Sequence, residues 1–234
     1  MNDPFGAAIH DYFHHKSAPD LMVNTNYTED ENVPVSWFFR KQNEMPVIEK
    51  AALDLCRGKV LDIGAAAGCH SLELQARKID VTAIERSMLA VQVMRQRGVN
   101  KVIHNDIFLH TKDKYDTLLL LMNGAGIGGT VSGLKMLFKH LKSLLNEKGQ
   151  ILIDSSDIKY LFEENDGSFW IDLNNTNYYG EMQYEVSYKK HNSKFDWLFI
   201  DFDKLKEVAI ATGFSCRMVK QGPHFDYLAQ LQPI

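Results

Sequence analysis

Lys59-Val60-Leu61-Asp62-Ile63-Gly64-Ala65-Ala66-Ala67-Gly68 decides how this chain is read. A short apolar strand passes through an acidic residue into a turn of small side chains, and a helical pattern follows. Turns of this kind, at the end of a buried parallel strand, bind nucleotides. Small residues at positions 64–68 let the backbone approach a ligand, and the next helix opens with free amides directed at the turn. The stretch predicts a nucleotide-like cofactor.

Spacing narrows the choice. A dinucleotide turn needs Gly-x-Gly-x-x-Gly, but counting from Gly64 puts Ala66 at the second glycine and Cys69 at the third. Asp80-Val81-Thr82-Ala83-Ile84-Glu85 reads as a second strand ending in an acid about twenty residues on, the offset at which ribose hydroxyls are met. A carboxylate there accepts from two adjacent hydroxyls at once. Ser87 then predicts a helix N-cap and Gly98 its stop, before a third strand at 101–104 that leads into Asn105-Asp106-Ile107-Phe108. Asp62, Gly64, Ala66 and Gly68 together resemble the first motif of class I S-adenosylmethionine-dependent methyltransferases, an acid followed by Gly-x-Gly-x-Gly, with alanine in the middle place. The resemblance implies S-adenosyl-L-methionine as cofactor. It implies a cofactor site of Asp62, Gly64, Ala65, Ala66, Gly68, Glu85, Arg86, Asn105, Asp106, Ile107, Met122 and Asn123, with Glu85 on the ribose, Asp106 on the adenine amino group and Ile107 against the ring.

Residues 115–122 form a continuous apolar run, expected of a central parallel strand covered on both faces. Gly124, Gly126, Gly128 and Gly129 follow, and so many glycines predict close approach to a ligand more than core packing. By resemblance this is the fourth motif, beside the methyl group. It lacks the Pro-Pro-Tyr ending of many amino-directed DNA and protein-glutamine enzymes, which disfavours nucleobase amino groups as acceptors.

At 234 residues and 45% hydrophobic content the chain can bury a full core, and no long Pro/Gly/Ser linker divides it. A net charge of -4 offers no general attraction to polyanions, so extended nucleic acid is not an expected partner. Cys56, Cys69 and Cys216 are widely separated without metal spacing, and neither a signal peptide nor a spanning apolar segment is evident. A cytoplasmic protein without metal is the expectation. His10, His14 and His15 lie on a helix-like stretch without the partners a metal site needs. Residues 24–32 read as a polar loop. Trp37, Phe38 and Phe39 beside Arg40 fit either core or a cover for the cofactor, with Arg40 free to meet a carboxylate.

An amphipathic helix over 130–146 returns to a fifth strand at 150–154. Beyond it Trp170, Tyr178, Tyr179, Tyr184, Tyr188 and Trp197 mark an aromatic insertion at 155–201, with a hairpin turned by His191-Asn192-Ser193. Tyr178 and Tyr179, with Trp37 and Arg40, are the candidate substrate residues. The chain closes with a helix stopped by Gly213 and two strands joined by a turn at Gly222-Pro223 too short for a parallel crossover. The predicted fold is an α/β, doubly wound, Rossmann-like sheet of seven mostly parallel strands with an antiparallel last strand. Residues 1–57 read as an N-terminal helical or lid segment and 58–234 as the methyltransferase domain.

The resemblance implies methyl transfer to an O, N, C or S atom of a small molecule. Asp154, His70 and Tyr179 are conceivable general bases, each with an alternative structural role, and His70 is equally at home facing solvent. Two rival classes remain: an NAD(P)-dependent Rossmann oxidoreductase, which lacks its glycine spacing and a Tyr-x-x-x-Lys pair here, and a non-catalytic adenosyl-binding module. Gly68 is expected to face ligand space, so that Gly68→Val blocks the cofactor without unfolding the chain.

Overall fold

In the computed structural model the first elements in chain order are α1 (Pro4–His15), β1 (Leu21–Thr25), β2 (Glu31–Val33), α2 (Val47–Leu55), β3 (Lys59–Ile63), α3 (Cys69–Ala76), β4 (Asp80–Glu85), α4 (Met88–Gln96) and β5 (Val102–His104). There follow β6 (Tyr115–Leu120), α5 (Val131–Leu144), β7 (Leu145–Ser156), β8 (Glu181–Tyr188), β9 (His191–Leu198), α6 (Phe202–Ala211), β10 (Phe214–Gln221) and β11 (Asp226–Pro233). The structure describes residues 2–163, 166 and 177–234, so Trp170 lies outside the described residues.

Seven strands form one sheet in the order β10-β11-β7-β6-β3-β4-β5. The strands from β3 to β7 pair in parallel, while β11 runs antiparallel to both β7 and β10, as its short turn requires. β6 is apolar throughout because each face meets a different core. Leu118 and Leu120 pack with Phe138 of α5 and Leu205 of α6; Leu119 packs with Ile48 and Leu53 of α2 and Leu74 of α3. Truncating any of these leucines to alanine costs about 2–5 kcal/mol. From β3 the chain builds outward through β4 and β5, then crosses back to β6 on the other side. The carboxyl ends of β3 and β6 therefore flank a topological switch point, where open α/β sheets bind ligands.

A second sheet, β2-β1-β8-β9, joins the N-terminal segment to the insertion. The stretch read as a polar loop at 24–32 begins and ends in strand, and β1 pairs antiparallel with β8 through Met22 and Ser187. The hairpin turn falls at Lys189-Lys190, not at His191-Asn192-Ser193: Tyr188 pairs with His191, and Lys189 has φ +52°. Such a two-residue turn matches the twist of its strands. Helix α1 lies on the sheet through Ala8 and Ile9 against Leu21, Val186 and Tyr188, and the same cluster includes Ala66, Ala67 and Met122. The small sheet and α1 thus cover the carboxyl edge of the large one. Among the described residues no helix is long and apolar enough to cross a membrane.

Candidate functional site

The turn after β3 alternates into the left-handed region, with φ +72° at Gly64, +49° at Ala66 and +81° at Gly68. Amides of Gly64 and Ala65 donate to the Ile84 carbonyl at 3.0 and 3.3 Å, fastening the turn to β4. A Cβ added at Gly64 would meet only Ile127 Cδ1, at 3.6 Å. At Gly68 it would lie 2.9 Å from Val99 Cγ2 and 3.0 Å from Met94 Cγ, so that glycine admits the α4 side of the core. The expectation that Gly68 borders ligand space is corrected: Gly64 is the open position. Gly68 is also the N-cap of α3 and supplies no side-chain cap. Asp62 is buried and accepts from Ser71 Oγ at 2.6 Å, placing its charge at the start of α3. Burial pushes its carboxyl up, against His70 and Ser71.

Glu85 ends β4 with both oxygens accepting backbone amides, Ala66 N at 3.0 Å and Ser87 N at 2.8 Å. Each oxygen keeps a further lone pair. Burial pushes this carboxyl up, opposed by the amides of Ser87, Ala66 and Arg86. Arg86 is exposed, and its carbonyl contacts His104 Nε2. After β5, Asn105 Oδ1 accepts from Asp106 N at 2.9 Å and Asp106 Oδ1 accepts from Phe108 N at 2.9 Å, while Ile107 is buried. These residues form a row along the carboxyl ends of β3, β4 and β5.

Beyond β6, Met122 and Asn123 adopt φ +64° and +60° in succession, at about 1–2 kcal/mol each. Buried Asp154 on β7 holds that strained turn, accepting from Met122 N at 3.0 Å and Gly124 N at 2.8 Å. Burial pushes Asp154 up to about 6, opposed by the amides of Gly124 and Asn123. Asn123 accepts from Ser155 Oγ at 2.8 Å and donates to the Leu198 carbonyl at 3.2 Å. The glycine run itself is packed. A Cβ on Gly126 would sit 2.0 Å from Trp197 Cε2, on Gly128 2.8 Å from the Leu134 backbone, and on Gly129 3.3 Å from Asp196. Packing against β9 and α5 explains these glycines, contrary to the ligand-approach expectation.

The candidate substrate residues do not converge. Trp37 is 45% exposed, while its neighbour Phe38 is buried edge-on to Phe5. Arg40 is not free: its Nη2 donates to Glu49 Oε1 at 2.5 Å. Tyr178 Oη donates to Asp201 Oδ2 at 2.5 Å and Tyr179 Oη to Asp157 Oδ1 at 2.8 Å, so both are spent at the start of α6 and the end of β7. His70 does not face solvent; it is 5% exposed and bonds Glu49 Oε2 at 2.9 Å. Tyr184, Phe195 and Trp197 form an aromatic wall on the small sheet, and Tyr184 and Phe195 pack on the cluster containing Met122. Glu49 escaped the sequence reading. Its signal is a lone carboxylate within the apolar stripe Met45, Ile48, Ala52, Cys56.

No protein-family model matches the chain, and no curated protein matches it. Among solved structures it is similar to a SAM-dependent methyltransferase from Bacteroides fragilis in complex with S-adenosyl-L-homocysteine, with 42% identity over 99% of this chain and 95% of that one and a TM-score of 0.92. It also shares its fold with the CcbJ methyltransferase from Streptomyces caelestis, at 11% identity, 100% and 99% coverage and TM-score 0.64. The amino pentose methyltransferase CalS10 from Micromonospora echinaspora is similar in fold at 13% identity, 88% and 100% coverage and TM-score 0.55.

Proposed function

The chain belongs to the class I S-adenosylmethionine-dependent methyltransferases, and from that premise we propose that it methylates an O, N, C or S atom of a small molecule brought to the Met122-Asn123 end of the turn after β6. The cofactor is S-adenosyl-L-methionine, which when bound supplies an electrophilic methyl on a sulfonium. The residues fit it. The exposed face of Gly64, the first amides of α3, where Gly68 supplies no capping side chain, and the spare lone pairs of Glu85 lie together at the switch point, and this juxtaposition carries the reading.

In this reading Glu85 accepts the ribose hydroxyls. Gly64, Ala65, Ala66 and Gly68 shape the turn, and Asp62 steadies it through Ser71. Asn105, Asp106 and Ile107 form the adenine end with Arg86 at its rim, while Met122 and Asn123 border the transferring methyl. Alignment and exclusion of water supply the rate, since Asp154, His70 and Tyr179 are all committed to bonds within the chain. Three free cysteines, two of them buried, suit a reducing cytoplasm.

The test is methyl transfer from S-adenosylmethionine carrying a labelled methyl to a panel of small amines, phenols, hydroxy acids and thiols. Label in one class of acceptor, with S-adenosylhomocysteine released, is the expected result. Tight cofactor binding without transfer to any acceptor favours the non-catalytic reading.

A further inference from the structure

Glu49 occupies the first turn of α2 at 3% exposure, and its two oxygens serve different parts of the molecule. Oε1 takes Arg40 Nη2 at 2.5 Å, from the segment that follows the aromatic turn Val35–Phe39; Oε2 takes His70 Nε2 at 2.9 Å, from the first turn of α3. Burial opposes charge on His70, but Cys69, Glu49 and Asp62 outweigh it and hold the imidazole well above its ordinary range. A buried ion pair is a poor source of net stability, because desolvation cancels most of its attraction. The cost is visible here: Arg40 Nε is buried without a hydrogen-bond partner among the described residues. Groups left unsatisfied in this way call for a reason other than stability.

Geometry supplies one. Phe38, two residues before Arg40, packs in the same cluster as Ala66 and Ala67, and Phe39 lies under the Arg97 guanidinium, whose Nη1 donates to the Ala67 carbonyl. The aromatic segment therefore rests on the turn that precedes α3, and Glu49 ties that segment to the helix growing out of the same turn. We propose that Glu49 is a positioning residue for cofactor retention: by gripping Arg40 and His70 together it holds residues 35–40 closed over the turn at 64–68. This rests on the cofactor placement given above.

The probe is S-adenosylhomocysteine, measured by calorimetry for affinity and by stopped flow for dissociation, with thermal unfolding in parallel. Glu49→Gln keeps the shape and removes the charge. It is expected to weaken binding about tenfold, chiefly through faster dissociation. A lowered unfolding midpoint with unchanged affinity and dissociation rate would mean that the cluster is structural only and overturns the proposal. Arg40→Lys covers the case in which Glu49→Gln does not fold: it retains the charge without the planar fork, and an intermediate loss of about threefold is expected, with wild-type binding again overturning the proposal. Gly64→Val separates the two layers of inference. Lost binding there beside wild-type binding in Glu49→Gln rejects the clasp alone, whereas wild-type binding in Gly64→Val rejects the cofactor placement beneath it.

Discussion

The turns after β3 and β6 lie side by side at the carboxyl edge of the sheet, and both are rich in glycine, yet the space around them differs. Above Gly64 a side chain would find only Ile127. At Gly126, Gly128 and Gly129 it would strike Trp197, α5 or Asp196. At Gly64 almost nothing of the chain occupies the place of a side chain, whereas Gly68 and the glycines of the second turn make room for the chain's own neighbours. Glycine content alone therefore does not mark a ligand site; what faces the missing Cβ does.

The sharpest way to break that contrast is at Gly126. Gly126→Ala forces its methyl into the Trp197 ring, and overpacking should lower stability by about 3 kcal/mol, the upper part of the usual range. Thermal unfolding checks this, and an unchanged midpoint would return the run to a ligand role. Gly64→Val should do the reverse: the added side chain meets little of the chain, its cost being the conformational strain of about 2 kcal/mol that a β-branched residue carries at φ +72°, while S-adenosylhomocysteine affinity in calorimetry drops about a hundredfold, or about 2.7 kcal/mol.

The second turn depends on Asp154. Its folded pKa of about 6 lies above the ordinary carboxyl value. The folded state therefore binds a proton more tightly than the unfolded one, and the stability this contributes is present at low pH and lost as pH rises through about 6. Relative to Asp154→Asn, the wild type should gain about 1 kcal/mol between pH 8 and pH 5 in urea unfolding. A gain in the opposite direction would contradict the burial assigned to this carboxyl. The smallest effect belongs to Ala66→Gly, which restores the glycine of the resembling motif. Relief of the φ +49° conformation offsets the lost methyl packing, and the unfolding midpoint should move by less than about 2 °C.

The doubly wound half of the fold was legible because its signals are local. A strand, an acid, a small-residue turn and a helix follow one another between Lys59 and Ala76, and the same order recurs through Glu85 and Ser87. The reversed β11 followed from the length of one turn. What escaped depends on partners remote in sequence: β1 becomes a strand by pairing with β8, and Asp11 on α1 bonds both Tyr188 and Lys189. Gly68 was misread because Val99 and Met94 fill its flank, and Arg40 because Glu49 lies nine residues on in a stripe that reads as core. In each case the residue type was visible and the opposing atom was not.

If the turn at 64–68 and the Glu85 carboxylate hold the adenosyl cofactor, its affinity depends on that carboxylate. Calorimetric titration of S-adenosylhomocysteine into wild type and Glu85→Ala measures that dependence. Binding by the wild type is expected, with affinity about tenfold weaker in the variant, the loss of about 1.4 kcal/mol expected when charge-assisted ribose hydrogen bonds are removed. Equal dissociation constants for the two folded proteins would contradict it.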